Sequence, residues 1–237
     1  DSFIITGDIE ALWLRDSTNQ ILPYVPYASQ DSNLAVLVEG LITRQAKSVL
    51  IDPFANAFNY NASGAGHQDD IRKPSMTPPV FEGKYEIDSP AAFLKISYWY
   101  WRYTETTSFM TSTWTDAVEK VLSTIRTMQL DDGNSKNPPY LFQRETTAAT
   151  DSLMMYGRGP STKLTGLSRS LFRPSDDATT FQYNIPGNAM MCSELNHLHS
   201  MLSTVDSQSY GALLTKTQAI IDTLCVSLQD LIATSAS

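Results

Sequence analysis

Apolar residues recur at helical spacing in five stretches of this chain and lose all period between them. Over 31–50, DSNLAVLVEGLITRQAKSVL, an Asp/Ser start precedes Leu34, Val38, Leu41 and Ile42, the signature of a capped helix with one buried face. Residues 114–130, WTDAVEKVLSTIRTMQL, give the cleanest amphipathic pattern, with Val118, Val121, Leu122, Ile125 and Met128 on one side. Asp131-Asp132-Gly133-Asn134 then ends it. A helix over 89–103 opens on Ser89-Pro90, and its SYWYWRY run, apolar nearly all round, predicts burial on most sides. Helices resume over 185–205 and 210–233, where Leu214, Ile221 and Leu228 repeat every seven residues.

Residues 52–88 and 134–184 are instead rich in Asn, Gly, Pro, Ser and charge, and neither stretch shows a β-hairpin signal. The pattern predicts an all-α fold of helices in pairs, joined alternately by short turns and long polar-aromatic loops. An array with its decorated loops on one side is the economical arrangement. Loops of this length inside a compact domain usually carry function.

Composition narrows the partners. Of 237 residues, 42% are hydrophobic, enough for a substantial core, and 25 acidic against 17 basic residues give a net charge of −8. Nucleic-acid backbones and anionic membrane surfaces select for basic patches, so neither is an expected partner. No apolar run approaches the twenty residues of a membrane span. Cys192 and Cys225 both lie in apolar helical segments, and buried free thiols are the favoured reading; a disulfide requires the two helices to be neighbours. One glycosylation sequon, Asn61-Ala62-Ser63, tilts the localisation slightly toward the secretory route.

Three loops concentrate the chemistry: TGDIEALWLRDS (6–17), KYEIDSP (84–90) and GRGPSTKLTGLSRSLFRPSDDA (157–178). Asp8 and Asp88, taken singly, read as helix caps, and a cap ahead of Ala178 accounts for one of Asp176 and Asp177. Two adjacent carboxylates beside Arg173 ask for more. Arginine can hold one carboxylate ionised while like charge pushes its neighbour toward the protonated form, which makes a general acid near neutral pH. Metal chemistry finds little support. His197 and His199 point to different faces of one helix, and the Gly66-His67-Gln68-Asp69-Asp70 loop lacks calcium or zinc spacing, reading as a polar or ligand-contacting loop. No nucleophile elbow, P-loop or dinucleotide fingerprint occurs.

Taken together and in order, TGDIEALWLRDSTNQILPY, KYEIDSP with its aromatic helix, and TGLSRSLFRPSDDATTFQYNIPGNA resemble glycoside hydrolase family 125 from residue 3 to about 200. The resemblance implies an (α/α)6 barrel of helical hairpins, incomplete in this chain. It also implies exo-acting hydrolysis of terminal α-1,6-linked mannose with inversion, without a metal or other cofactor, and an α-mannoside glycan as partner. It places the general acid at Asp177 or Asp176, with Asp177 favoured, and gives Arg15, Asp16, Glu86, Asp88, His67 and Arg173 to the sugar pocket, with Trp13 or Tyr85 as stacking face. The family's general base, a glutamate, is expected beyond residue 237. The chain thus reads as a single catalytic domain over 1–237, truncated at both ends. The competing expectations are a mannoside-binding or catalytically dead relative, and a calcium-dependent α/α-barrel mannosidase.

Overall fold

The computed structural model describes residues 1–235. A two-residue strand, β1 (Leu12–Trp13), runs directly into α1 (Leu14–Ile21), which tightens into a 3-10 helix over Leu22–Tyr27. Helix α2 (Ser32–Ile51) starts where the Asp31 carboxylate accepts from the amides of Asn33 and Leu34. Then come β2 (Ala57–Phe58), β3 (Ile71–Lys73), β4 (Val80–Glu82), α3 (Asp88–Thr104), α4 (Ser112–Leu130), β5 (Leu141–Gln143) and the single turn α5 (Met154–Gly157). Helix α6 (Ile185–Asp206), capped by Asn184, is followed by α7 (Gly211–Ile220), a π-helical stretch Ile221–Cys225 and α8 (Val226–Ser235).

The fold is all-α, with helix α3 at its centre. It lies against α1 on one side and α6 on the other, while α2 packs on α4. Val38, Leu41 and Ile42 of α2, Phe93, Leu94 and Ile96 of α3, Val118, Val121 and Ile125 of α4, and Leu195, Leu198 and Met201 of α6 form one core. Each such side chain contributes roughly 1.5–3 kcal/mol by leaving water. Helix α1 escapes periodicity because its buried face is polar: Ser17 and Thr18 are inaccessible to solvent, and Gln45 Nε2 donates to Leu14 O and to both hydroxyls.

Several expectations are corrected. The loops hold short strands despite the lack of a hairpin signal. β2 pairs antiparallel with β1 and with β4, and β3 with β5. Strands of two or three residues are too short to register a period of two. Within SYWYWRY only Ser97 and Tyr100 are fully buried; Tyr103 is exposed, and Tyr98 stacks flat on His197 with centroids 4.1 Å apart. Asp8 is exposed in a turn outside any helix. Asp88 stands inside α3 at its first position, and no helix starts at Ala178, which pairs with Phe172 in an isolated bridge; α6 begins only at Ile185. The two cysteines form a disulfide, because Cys192 on α6 and Cys225 on the π stretch face each other with Cα atoms 5.4 Å apart.

Candidate active site

The small sheet and the loop 168–179 bring the three sequence motifs to one place. Leu14 N donates to Asn56 O at 3.1 Å, which fastens the start of α1 to the residue before β2. Strand β4 continues through Lys84, Tyr85 and Glu86 into α3. The third motif is strapped alongside: Phe172 N donates to Tyr85 O at 3.0 Å, and Ile87 N to Ser170 Oγ at 3.0 Å. Three segments far apart in sequence thus share one end of the helical array.

Arg15 is the cation at the centre. Its Nη1 donates to Glu86 Oε2 at 2.9 Å and Asp88 Oδ2 at 3.1 Å, and its Nη2 to Asp16 Oδ2 at 3.0 Å. Burial opposes its charge, but these three carboxylates outweigh burial and hold its pKa above the usual range. Glu86 is inaccessible to solvent. Burial, with Asp88 and Asp176 adding to it, pushes the Glu86 carboxyl well above the ordinary range despite Arg15. Asp88 is also raised by burial, with Arg15 pulling the other way. Asp88 Oδ1 is buried and meets no other residue's donor. A buried acceptor left open in this way is available to a ligand hydroxyl.

Asp176 joins the cluster from the third motif. Its φ of 62° turns it inward, where its Oδ1 accepts from Asn56 Nδ2 at 3.0 Å and its backbone carbonyl accepts from Lys84 Nζ at 2.8 Å. The same Asn56 amide reaches Glu82 Oε2 and Glu86 Oε1. Behind this layer Arg144 forks onto Asp70 with two 2.7 Å bonds and also donates to Glu82 and Asp151. Lys84 completes the layer through Asp151 at 2.6 Å, with its ammonium 5.4 Å from the Phe172 ring.

The predicted residues separate into two sets. Arg15, Asp16, Glu86, Asp88 and Asp176 converge. Asp177 faces the other way: its carboxylate pairs with Arg173 at 3.1 Å and accepts from Ser175 at 2.7 Å. Ser175 first, then Thr150 and Arg173, hold the Asp177 carboxylate below the usual range, opposite to what a proton donor needs. Tyr85 is packed in the core against Phe54 and Tyr140 and offers no face to a sugar. Trp13 is nearly buried, its ring edge-on to Phe81 at 5.4 Å. His67 lies at the rim, 3.9 Å from Glu82. Asn56, Glu82, Arg144 and Asp151 were missed, and Lys84 and Asp70 stand in quoted segments without being assigned a role. Glu82 borders a quoted motif, but Asn56 sits in FANAF, where nothing marks it.

The carboxylates alternate with Arg15, Lys84 and Arg144, so the site offers donors and acceptors side by side together with one carboxyl, Glu86, that burial pushes toward its protonated form. That combination suits a polyhydroxylated ligand and acid catalysis on it. Among the described residues, no group of three His, Cys, Asp or Glu side chains is placed to hold a metal ion.

Comparison with known proteins agrees with this chemistry. A family model described as metal-independent alpha-mannosidase (GH125) matches residues 1–235. A Schizosaccharomyces pombe protein named meiotically up-regulated gene 157 protein is 45% identical over 213 residues, which are 85% of this chain and 42% of that protein. A solved Streptococcus pneumoniae structure, described as a metal-independent α-mannosidase in a non-productive complex with α-1,6-mannobiose, is 34% identical with a TM-score of 0.89. The match covers 96% of this chain and 52% of that one. The chain therefore spans about half the length of the relatives it matches.

Proposed function

The chain belongs to glycoside hydrolase family 125, the metal-independent α-mannosidases, and on that premise we propose that the protein removes terminal α-1,6-linked mannose from non-reducing ends with inversion. The observation that carries this reading is that Asp176 and the buried Glu86 carboxyl share the Asn56 amide, while Arg15 binds the other oxygen of Glu86. Asp176 is the general acid. Arg173 holds Asp177 ionised, whereas Asp176 is turned toward the Glu86 carboxyl through the Asn56 amide that both share.

In the proposed reaction Asp176 protonates the glycosidic oxygen as its bond to the anomeric carbon breaks. A water molecule, deprotonated by a second carboxylate, attacks that carbon from the opposite face. The second carboxylate must stand about 6.5–9.5 Å from the acid to admit the water. It lies in the half of the relatives that this chain does not span. Arg15 and Asp16 bind vicinal hydroxyls as a donor and acceptor pair, Asp88 Oδ1 takes another hydroxyl, and Trp13 closes one side. Residues 1–237 are one part of a single catalytic domain. The Cys192–Cys225 disulfide and the exposed Asn61 sequon support an oxidising, secretory compartment.

Release of free mannose from α-1,6-mannobiose, with and without EDTA, tests the proposal. The full-length protein is expected to release mannose equally in both conditions. Inhibition by the chelator would place it with calcium-dependent mannosidases. Binding without release by the full-length protein would make it a mannoside-binding relative.

A further inference from the structure

Asn56 stands at the centre of the carboxylate cluster and is fully buried. Its orientation is fixed by its neighbours. Oδ1 accepts from the Lys84 backbone N–H at 3.2 Å, so Nδ2 must face the acids. Its two hydrogens meet three acceptors: Asp176 Oδ1 at 3.0 Å, Glu82 Oε2 at 3.1 Å and Glu86 Oε1 at 3.3 Å. The backbone beneath is equally constrained. The Asn56 carbonyl accepts from Leu14 N, and Ala57 pairs with Trp13 in the sheet.

The surrounding charges are Arg15 and Asp16 from α1, Asp88 from α3, Glu82 and Lys84 at the end of β4, and Arg144 and Asp151 behind. Three ionised carboxylates cannot crowd around one amide without strong repulsion, and two N–H groups cannot satisfy three acceptors fully. Burial, Asp88 and Asp176 all favour the protonated form of Glu86, which relieves that repulsion. Lys84 reinforces the arrangement by holding the Asp176 carbonyl.

We propose that Asn56 is a positioning residue for the acid: its amide clamps the Glu86 and Asp176 carboxyls side by side and so fixes where the acid's oxygen stands. This rests on reading Asp176 as the general acid. Asn56 acts through that carboxyl and not on the sugar itself. It keeps the inward turn at Asp176 in register with Glu86, so that the acid stands where the leaving oxygen arrives.

The test uses Asn56→Ala in the full-length protein, with two readouts. The first compares turnover of α-1,6-mannobiose, whose leaving group needs a proton, with that of a dinitrophenyl α-mannoside, whose leaving group does not. Loss of positioning lowers mannobiose turnover by about tenfold or more relative to the aryl substrate. Equal losses on both would mean a structural role only and overturn the proposal. The second follows the Glu86 carboxyl by carbon-13 NMR. Burial, Asp88 and Asp176 hold it above the ordinary range in the wild type, and in Asn56→Ala, with Asp176 released, its titration moves down. An unmoved Glu86 titration also overturns the proposal. If the wild type hydrolyses neither substrate, the enzymatic reading falls, and the NMR titration still decides whether Asn56 couples the pair.

Discussion

Arg15 Nη1 lies 2.9 Å from Glu86 Oε2, joining the first turn of α1 to the approach to α3 across 71 positions of chain. Replacing Arg15 by Met leaves Glu86 and Asp88 buried without their cation. Glu86 already tends to keep a proton, so the loss falls short of that for an obligate buried pair. We expect about 2–3 kcal/mol of destabilisation, read from the denaturant midpoint at neutral pH. An unchanged midpoint would show that both carboxyls are neutral in the fold and that the cation is energetically idle there.

The pH dependence of stability follows from Glu86. Burial, Asp88 and Asp176 raise its folded pKa well above the ordinary 4.5. The folded chain therefore holds a proton that the unfolded chain releases. This contribution is fully present below about pH 4.5 and fades as pH rises through the folded value. Glu86→Gln is permanently neutral, so its melting temperature is expected to fall less than that of the wild type between about pH 5 and 8. Parallel curves for the two proteins would mean that Glu86 is ionised in the fold.

The two adjacent aspartates separate by substitution. In the full-length protein, Asp176→Asn is expected to lower α-1,6-mannobiose turnover by about 10²–10⁴-fold while sparing binding. Asp177→Asn weakens only the contacts to Arg173, Ser175 and Thr150 and is expected to cost far less. The reverse ranking would move the acid to Asp177.

The disulfide joins α6 to the π-helical stretch and closes a separation of 33 residues. The double variant Cys192→Ala/Cys225→Ala is expected to lose about 2–4 kcal/mol of stability in urea. Wild-type protein unfolded with a thiol reductant present should match it. No difference between oxidised and reduced protein would show that the bridge does not form in solution.

The helices were legible because each buries an apolar stripe at a spacing that the sequence displays. Val118, Val121 and Ile125 mark α4 without any knowledge of what they touch. Asp31 marks a helix start by a cap that needs only local chemistry, whereas the Thr111 cap of α4 was not read. Helix α1 and the strands were not legible. One buries serine, threonine and glutamine contacts made by α2, and the others are too short to show a period.

At the site, the motif residues Arg15, Asp16, Glu86 and Asp88 were recognisable as an unusual grouping of charge. Their pairing depends on the sheet that fastens Leu14 to Asn56. Residue order alone does not separate Asp176 from Asp177, because both sit in the same motif. The left-handed turn at Asp176 separates them, sending one carboxyl in to Asn56 and leaving the other out with Arg173.

By itself, then, the sequence determined the helical class, most helix positions and the kinds of side chain available for chemistry, since periodicity and capping are local properties. Only the tertiary structure decided which carboxyl is pushed toward its protonated form, that the cysteines meet, and that Asn56 lies among the carboxylates. Each of those depends on burial and on neighbours tens of residues away, which a linear pattern does not encode.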